Sequence, residues 1–208
     1  MPEKQPIYLV MANTNKLKLC TETNMIITSF LPVKEYSKFG DWLKIQDEET
    51  RQMYFGVAGN QHVITALMER VLANPDDHYF LVAKDGDRWA GTIHIAVNNK
   101  VVEFGIIVHE DYRGTGIAGE MLDEAIIWSR NRGYQELFMH CLSYNKSIKH
   151  LCHKHGLETH NMYGDSEVEM KLEPANWITI NKEICIKQRN VFHRFLQNNN
   201  MLYREIFG

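Results

Sequence analysis

At 208 residues and a formal net charge of −3, the chain has no basic excess of the kind that neutralises phosphate backbones, so nucleic acid is not expected among its partners. The length suits one domain with extensions, with enough core to fold without disulfide staples. Four scattered cysteines (Cys20, Cys141, Cys152 and Cys185) form no CxxC pair and fit a reducing, cytoplasmic setting; neither a signal peptide nor a membrane span is expected from the pattern.

Residues 1 to 23 read as an extension holding one short apolar run, Ile7 to Met11, an edge strand or a segment draped over the fold. Met25 to Val33 alternates and predicts the first core strand. Lys34 to Ile45 predicts a helix with Tyr36, Phe39, Trp42 and Leu43 on one face. Glu48 to Phe55 and His62 to Ala73 follow as helices, and Asn74-Pro75-Asp76-Asp77 ends the run. Tyr79 to Ala83 and Trp89 to Val97 make a hairpin that continues through Asn98-Asn99-Lys100 into Val101 to Val108. A long amphipathic helix starts at Gly116, turns Met121, Leu122, Ala125 and Ile126 to the sheet, and stops at Gly133. Glu136 to Leu142 is the next strand, Asn145 caps a helix over 146–155 that Gly156 ends, and Asp165 to Leu172 is a late strand. In the tail beyond Pro174, Ile184, Val191, Phe192, Phe195 and Leu196 line a helix. That helix is read as packed on the domain, because so large an exposed stripe invites aggregation; a dimer contact or a partner-binding helix are the alternatives.

The most informative stretch is Val108 to Ala118, which runs from an apolar strand through Arg113-Gly114-Thr115-Gly116 into the long helix. A helix start carries N–H groups without helical partners and a partial positive charge, and flanking glycines let an anion approach the backbone. A Walker loop would need a Gly-Lys-Ser/Thr ending, which is missing. Gly114, Gly116 and Gly119 match a dinucleotide spacing, but the next strand ends at His140-Cys141 without the acidic residue that would hold a ribose.

Arg113-Gly114-Thr115-Gly116-Ile117-Ala118, followed about thirty residues on by Asn145 to Leu157, resembles the two cofactor elements of the GNAT N-acetyltransferase superfamily. The resemblance implies an α/β (α+β) fold with a mostly antiparallel sheet, two splayed central parallel strands and helices on both faces. It divides the chain into an extension over 1–23, an acetyltransferase domain over 24–174 and a second extension over 175–208. Val102 to Val108 with Tyr112-Arg113-Gly114, and Asp47 to Gly56, resemble bacterial Pat-type protein lysine acetyltransferases, with Tyr54 where that group usually has Arg.

What the resemblance implies for function is acetyl transfer from acetyl-CoA to a primary amine by direct attack in a ternary complex. The acceptor is read as a protein lysine. The alternatives are a small amine (a polyamine, aminoglycoside or amino acid) and an acyl-CoA-binding module without turnover. Glu103 is the candidate base: a carboxylate in an apolar strand is costly unless paired or facing a cleft, and partial desolvation would raise its pKa. Gly114, Thr115, Gly116, Ile117 and Ala118 are expected at the diphosphate, and Arg113 is expected to contact it or to order the loop. The Val108 N–H is expected at the thioester carbonyl and Asn145 at the pantetheine arm or elsewhere on the cofactor. The family's usual Tyr donor is replaced by Cys152, whose ordinary role is a small core residue. Tyr144 and Tyr163 are the other donors to consider. His150, His153 and His155 do not complete a metal set, so no metal is expected.

Overall fold

The structure is a computed structural model, and it describes residues 26–56, 59–162 and 165–207. The expected strand within Ile7–Met11, and Tyr163, lie outside these residues.

Seven strands among the described residues form one sheet in the order β1-β2-β3-β4-β5-β7-β6. They are β1 (Ile26–Phe30), β2 (His78–Asp85), β3 (Arg88–Asn98), β4 (Val101–Val108), β5 (Glu136–Leu142), β6 (Glu158–Met162) and β7 (Asp165–Lys171). β4 and β5 are parallel, and the other neighbours are antiparallel. The expected mixed sheet with a central parallel pair is present. β6 was not anticipated: Glu158-Thr159-His160-Asn161-Met162 is a polar edge strand without the apolar alternation that marks a buried one.

Alternation along β2 and β3 feeds two cores. Leu81, Ala83, Ile93 and Ile95 pack with Met121, Leu122, Ala125 and Trp128 of α4 (Ile117–Asn131) and with Cys152 of α5 (Lys146–Lys154). Phe80, Val82 and Ile107 pack on the opposite face against α1 (Ser37–Lys44) and α3 (Gln61–Ala73), through Phe39, Leu43, Ile64 and Val71. α2 (Glu48–Phe55) lies on this second side, its N-terminus capped by Asp47, which accepts from the Thr50 N–H at 2.8 Å. The expected helix over 34–45 is divided into a 3₁₀ turn over 33–35 and α1, with the Tyr36 hydroxyl between them donating to the His78 carbonyl at 2.5 Å.

α6 (Trp177–Phe207) packs on α4 and β1, but with the face opposite to the one expected. Among its described side chains the buried ones are Thr179 and Asn190, while Ile184, Val191, Phe192 and Phe195 are exposed; Leu196 is half-buried. The physical reason is the surface it meets. Asn131 donates to the Thr179 carbonyl and to Glu183, and Asn190 donates to the Thr28 carbonyl, so the helix turns its polar side inward to satisfy buried polar groups.

Glu183 gives this docking a pH dependence. Burial pushes its carboxyl up, but the Asn131 hydrogen bond, Lys187 and Arg132 outweigh that and hold it at about 2. A carboxyl that is more acidic in the folded state stabilises fully above its unfolded pKa of about 4.3 and loses that contribution as pH falls through the folded value. Protection of the α6 amides, taken against their intrinsic exchange rates at each pH, is therefore expected to fall between about pH 4 and pH 2. Glu183→Gln should raise exchange at neutral pH and abolish the acid-dependent component.

Candidate active site

β4 and β5 share their register over Val101–Glu136, Val102–Leu137 and Glu103–Phe138. Beyond Glu103 and Phe138 no pairing is present among the described residues, and the strands part. In an antiparallel ladder, hydrogen-bonded and non-bonded pairs alternate. His109 N–H donates to the Ala90 carbonyl at 2.9 Å, which makes Val108, opposite Gly91, a non-bonded position toward β3. The peptide groups of Val108 and, two residues earlier, Ile106 therefore turn toward the edge that β5 has left. Sequence reasoning had singled out Val108 but not Ile106.

The loop after β4 is fastened from two sides. The Tyr112 hydroxyl donates to Asp85 at 3.0 Å, and Arg88 donates to Asp111 at 2.6 Å, tying the loop to the β2–β3 hairpin. Arg113 donates to the Thr50 hydroxyl and, at 3.3 Å, to Asp47, tying it to the start of α2. The Thr50 hydroxyl bond, helped by the Thr50 N–H and Arg113, holds Asp47 below the usual carboxylate range against the opposing effect of burial. Thr115 folds its hydroxyl back onto the Tyr112 carbonyl at 2.6 Å.

Gly114 and Gly116 have φ of +76° and +91°, and a Cβ added at either would meet nothing within 4 Å. Both face open space in a conformation that disfavours side chains. Gly116 is the N-cap of α4 and supplies no side-chain cap. Ile117 is buried beneath the helix start and Ala118 is half-buried. Across the opening, Asn145 caps α5 by accepting from the Ile148 N–H at 3.2 Å.

Glu103 stands at the last paired position before the strands separate. It is exposed, which corrects the expectation of a desolvated carboxylate. Strand alternation directs Val102 and Phe104 into the α4-side core and places Glu103 and Gly105 on the α2 side. The Tyr54 ring covers Gly105: a Cβ there would lie 2.5 Å from the ring and 3.0 Å from its hydroxyl oxygen.

Behind Tyr54 runs a chain of polar groups that the sequence reading missed. Tyr54 Oη lies 3.1 Å from His94 Nδ1, and His94 Nε2 lies 3.0 Å from His78 Nδ1. Burial, with the nearby Glu103 charge adding to it, pushes the Tyr54 phenol well above its ordinary range. Burial also drives His94 down to about 3, with His78 and Arg70 contributing, and lowers His78. Only part of the signal was in the sequence: His94 interrupts the apolar run of the expected strand Trp89 to Val97, while His78 lies just before the expected strand Tyr79 to Ala83.

Cys152 is fully buried, and burial with the neighbouring Cys141 pushes its thiol up to about 12. It is a neutral core residue in this setting. Tyr144 is 55% exposed on the turn before α5. His155 leaves its two helix neighbours and pairs with Asp123 at 2.8 Å. Among the described residues, no group of three or more His, Cys, Asp or Glu could hold a metal ion.

Comparison with known proteins follows this geometry. The family model described as "Acetyltransferase (GNAT) family" matches residues 41–157. None of the curated proteins compared matches the sequence. Among solved structures, spermidine N-acetyltransferase from Vibrio cholerae, in complex with CoA and spermine, has a TM-score of 0.57 at 13% identity, covering 71% of this chain and 95% of its own. The GNAT domain of S. lividans PAT has a TM-score of 0.58 at 15% identity, covering 70% and 89%. YncA from Salmonella typhimurium, solved with acetyl-CoA, has a TM-score of 0.56 at 13% identity, covering 73% and 96%. With more than half its length matched and the parted parallel strands of its sheet in place, this chain belongs to the GNAT acetyltransferase family, whose co-substrate is acetyl-CoA.

Proposed function

We propose that the cleft between β4 and β5 transfers an acetyl group from acetyl-CoA to a protein lysine, by direct attack in a ternary complex. The observation that carries this is the release of the β4–β5 ladder beyond Glu103 and Phe138, next to an open glycine loop at a helix N-terminus. The residues fit the co-substrate. Gly114, Thr115, Gly116, Ile117 and Ala118 present backbone N–H groups where a diphosphate gains from the α4 dipole. Arg113, committed to Asp47 and Thr50, orders the loop. The Asn145 amide is assigned to the pantetheine arm.

When bound, the co-substrate supplies the acetyl group as an activated thioester. The Val108 N–H then holds the carbonyl oxygen, where a fixed donor stabilises developing negative charge. Glu103 takes the proton from the acceptor nitrogen, directly or through one water. We assign this work to residues 24–174, with 1–23 and 175–208 as extensions, in the cytoplasm.

Lysine as acceptor is supported by the Pat-like residues of β4 and α2 and by the similarity to the S. lividans domain. The Vibrio cholerae similarity supports a polyamine as the second reading. The choice between them is assigned to the stretch 34–60, by its resemblance to the family's acceptor region. A lysine-bearing protein panel assayed beside spermidine decides: turnover of spermidine alone would remove the lysine reading.

We also propose that the chain pairs with a second copy through α6. Trp177, Ile184, Val191 and Phe195 follow helical spacing and are 74%, 46%, 64% and 61% exposed. With Ile178, Ile180 and Phe192 they offer roughly 700 Å² of apolar surface, close to the ~800 Å² per partner of a stable interface.

Calorimetric titration is expected to show micromolar binding of acetyl-CoA; no binding would remove the site. Gly116→Ala should strain the backbone by about 1–2 kcal/mol and weaken acetyl-CoA roughly tenfold, read by thermal unfolding and calorimetry. Glu103→Gln should lower kcat on the order of 10²-fold while leaving the acetyl-CoA Kd within about twofold. In sedimentation, a Val191→Glu, Phe195→Glu double variant should be monomeric and still bind acetyl-CoA; an unchanged sedimentation coefficient would refute pairing through α6.

A further inference from the structure

The replacement of the usual Tyr by Cys152 leaves the proposed transfer without an evident acid for the departing thiolate. We propose that Tyr54 is that proton donor, and that the buried His94–His78 pair replenishes it. This rests on the acetyl-transfer reading above and deepens it.

Position comes first. The Tyr54 hydroxyl sits against Gly105, two residues beyond Glu103 and three before Val108 along β4. At about 3.3 Å per residue, Gly105 lies between the proposed base and the proposed carbonyl donor, and the phenol sits over the α2-side face of β4 at that point, beside His94 of β3. Only glycine at 105 admits the ring, because a Cβ would overlap it. The ring is also held edge-on by Phe55, at 4.9 Å between centroids.

The histidines supply direction. A neutral imidazole carries one donor and one acceptor nitrogen, so a line of two can pass a proton from one end to the other. With His78 Nδ1–H donating to His94 Nε2, and His94 Nδ1–H donating to Tyr54 Oη, the phenol O–H is left for the cleft. Arg70 from α3 acts on both histidines and opposes a charged imidazole, Asp77 acts on His78 in the other sense, and the Glu103 charge of β4 acts on the phenol against that of Arg70. Burial keeps both rings neutral, the form the relay requires.

The step balances. The neutral amine forms the N–C bond, Glu103 takes the proton its nitrogen loses, and the C–S bond breaks with its electron pair on sulfur. Sulfur takes the Tyr54 proton. Tyr54 oxygen takes the His94 Nδ1 proton, and His94 Nε2 takes the His78 Nδ1 proton. His78 recovers one at Nε2 from solvent as Glu103 releases one, so no phenolate persists. Both rings are then protonated on Nε2, and exchange of each ring's proton back to Nδ1 before the next turnover returns the Tyr54 O–H to the cleft.

The test uses the full chain, with spermidine and polylysine as acceptors and the wild type assayed alongside. Tyr54→Phe keeps the ring over Gly105 and is expected to lower kcat on the order of 10²-fold, with the acetyl-CoA Kd and unfolding temperature nearly unchanged. His94→Gln should lower kcat in the same sense. Independently of turnover, ¹⁵N NMR of the free protein should show both histidines neutral and carrying the Nδ1 proton, and Tyr54→Phe should shift His94 Nδ1. Undiminished kcat in Tyr54→Phe would overturn the proposal, as would a loss matched by weaker co-substrate binding or lower stability. An Nε2-protonated His94 would also overturn it, since Tyr54 would then donate inward. A wild type that binds acetyl-CoA but acetylates neither probe would point instead to failure of the acetyl-transfer reading, and this proposal would fall with it.

Discussion

Past Glu103 and Phe138 the parallel pair β4–β5 gives up its ladder. A sheet that does so in its middle must satisfy its peptide groups another way. The antiparallel ladder with β3 turns the peptide groups of Ile106 and Val108 toward the gap. The result is a slot with a backbone edge on one wall, a helix N-terminus at its mouth and a carboxylate at its closed end. Each of these features is placed by the point at which pairing stops.

α2 is the element that ties the parts of the slot together. Its start is fastened to the glycine loop by Asp47, Thr50 and Arg113, and its last turn lays Tyr54 onto Gly105. Gly56 ends it with φ of +71°, and a Cβ added there would lie 3.9 Å from the Leu142 side chain on β5. One eight-residue helix thus touches the loop and both parted strands. A shift of α2 would move the loop and the phenol together, which makes it a natural place for acceptor selection and chemistry to be coupled.

Several parts of this were legible along the chain because they depend on neighbouring residues. Helix starts at Asp47 and Asn145, helix ends at Gly133 and Gly156, and the meander through Asn98-Asn99-Lys100 all rest on local chemistry. The glycine loop was legible for the same reason. The Tyr54–His94–His78 line was not, since it joins α2, β2 and β3 through contacts between residues 16 and 40 positions apart. The exposure of Glu103 was likewise invisible: an apolar strand suggests burial, but only the departure of β5 determines which face is open. α6 is the clearest lesson. Its apolar stripe predicted the buried face, yet Asn131, Glu183 and Asn190 required partners, and the stripe was left outward.

By itself the sequence determined the kind of fold, the glycine loop and the helix that follows it, and the place of Glu103 on a central strand. Those are carried by periodicity, by glycine's access to positive φ and by capping, all properties of a few consecutive residues. Only the tertiary structure decided where β4 and β5 separate, which polar groups meet behind Tyr54, and which side of α6 is covered. Those depend on how distant surfaces satisfy one another's hydrogen bonds and volumes, and no local pattern contains that information.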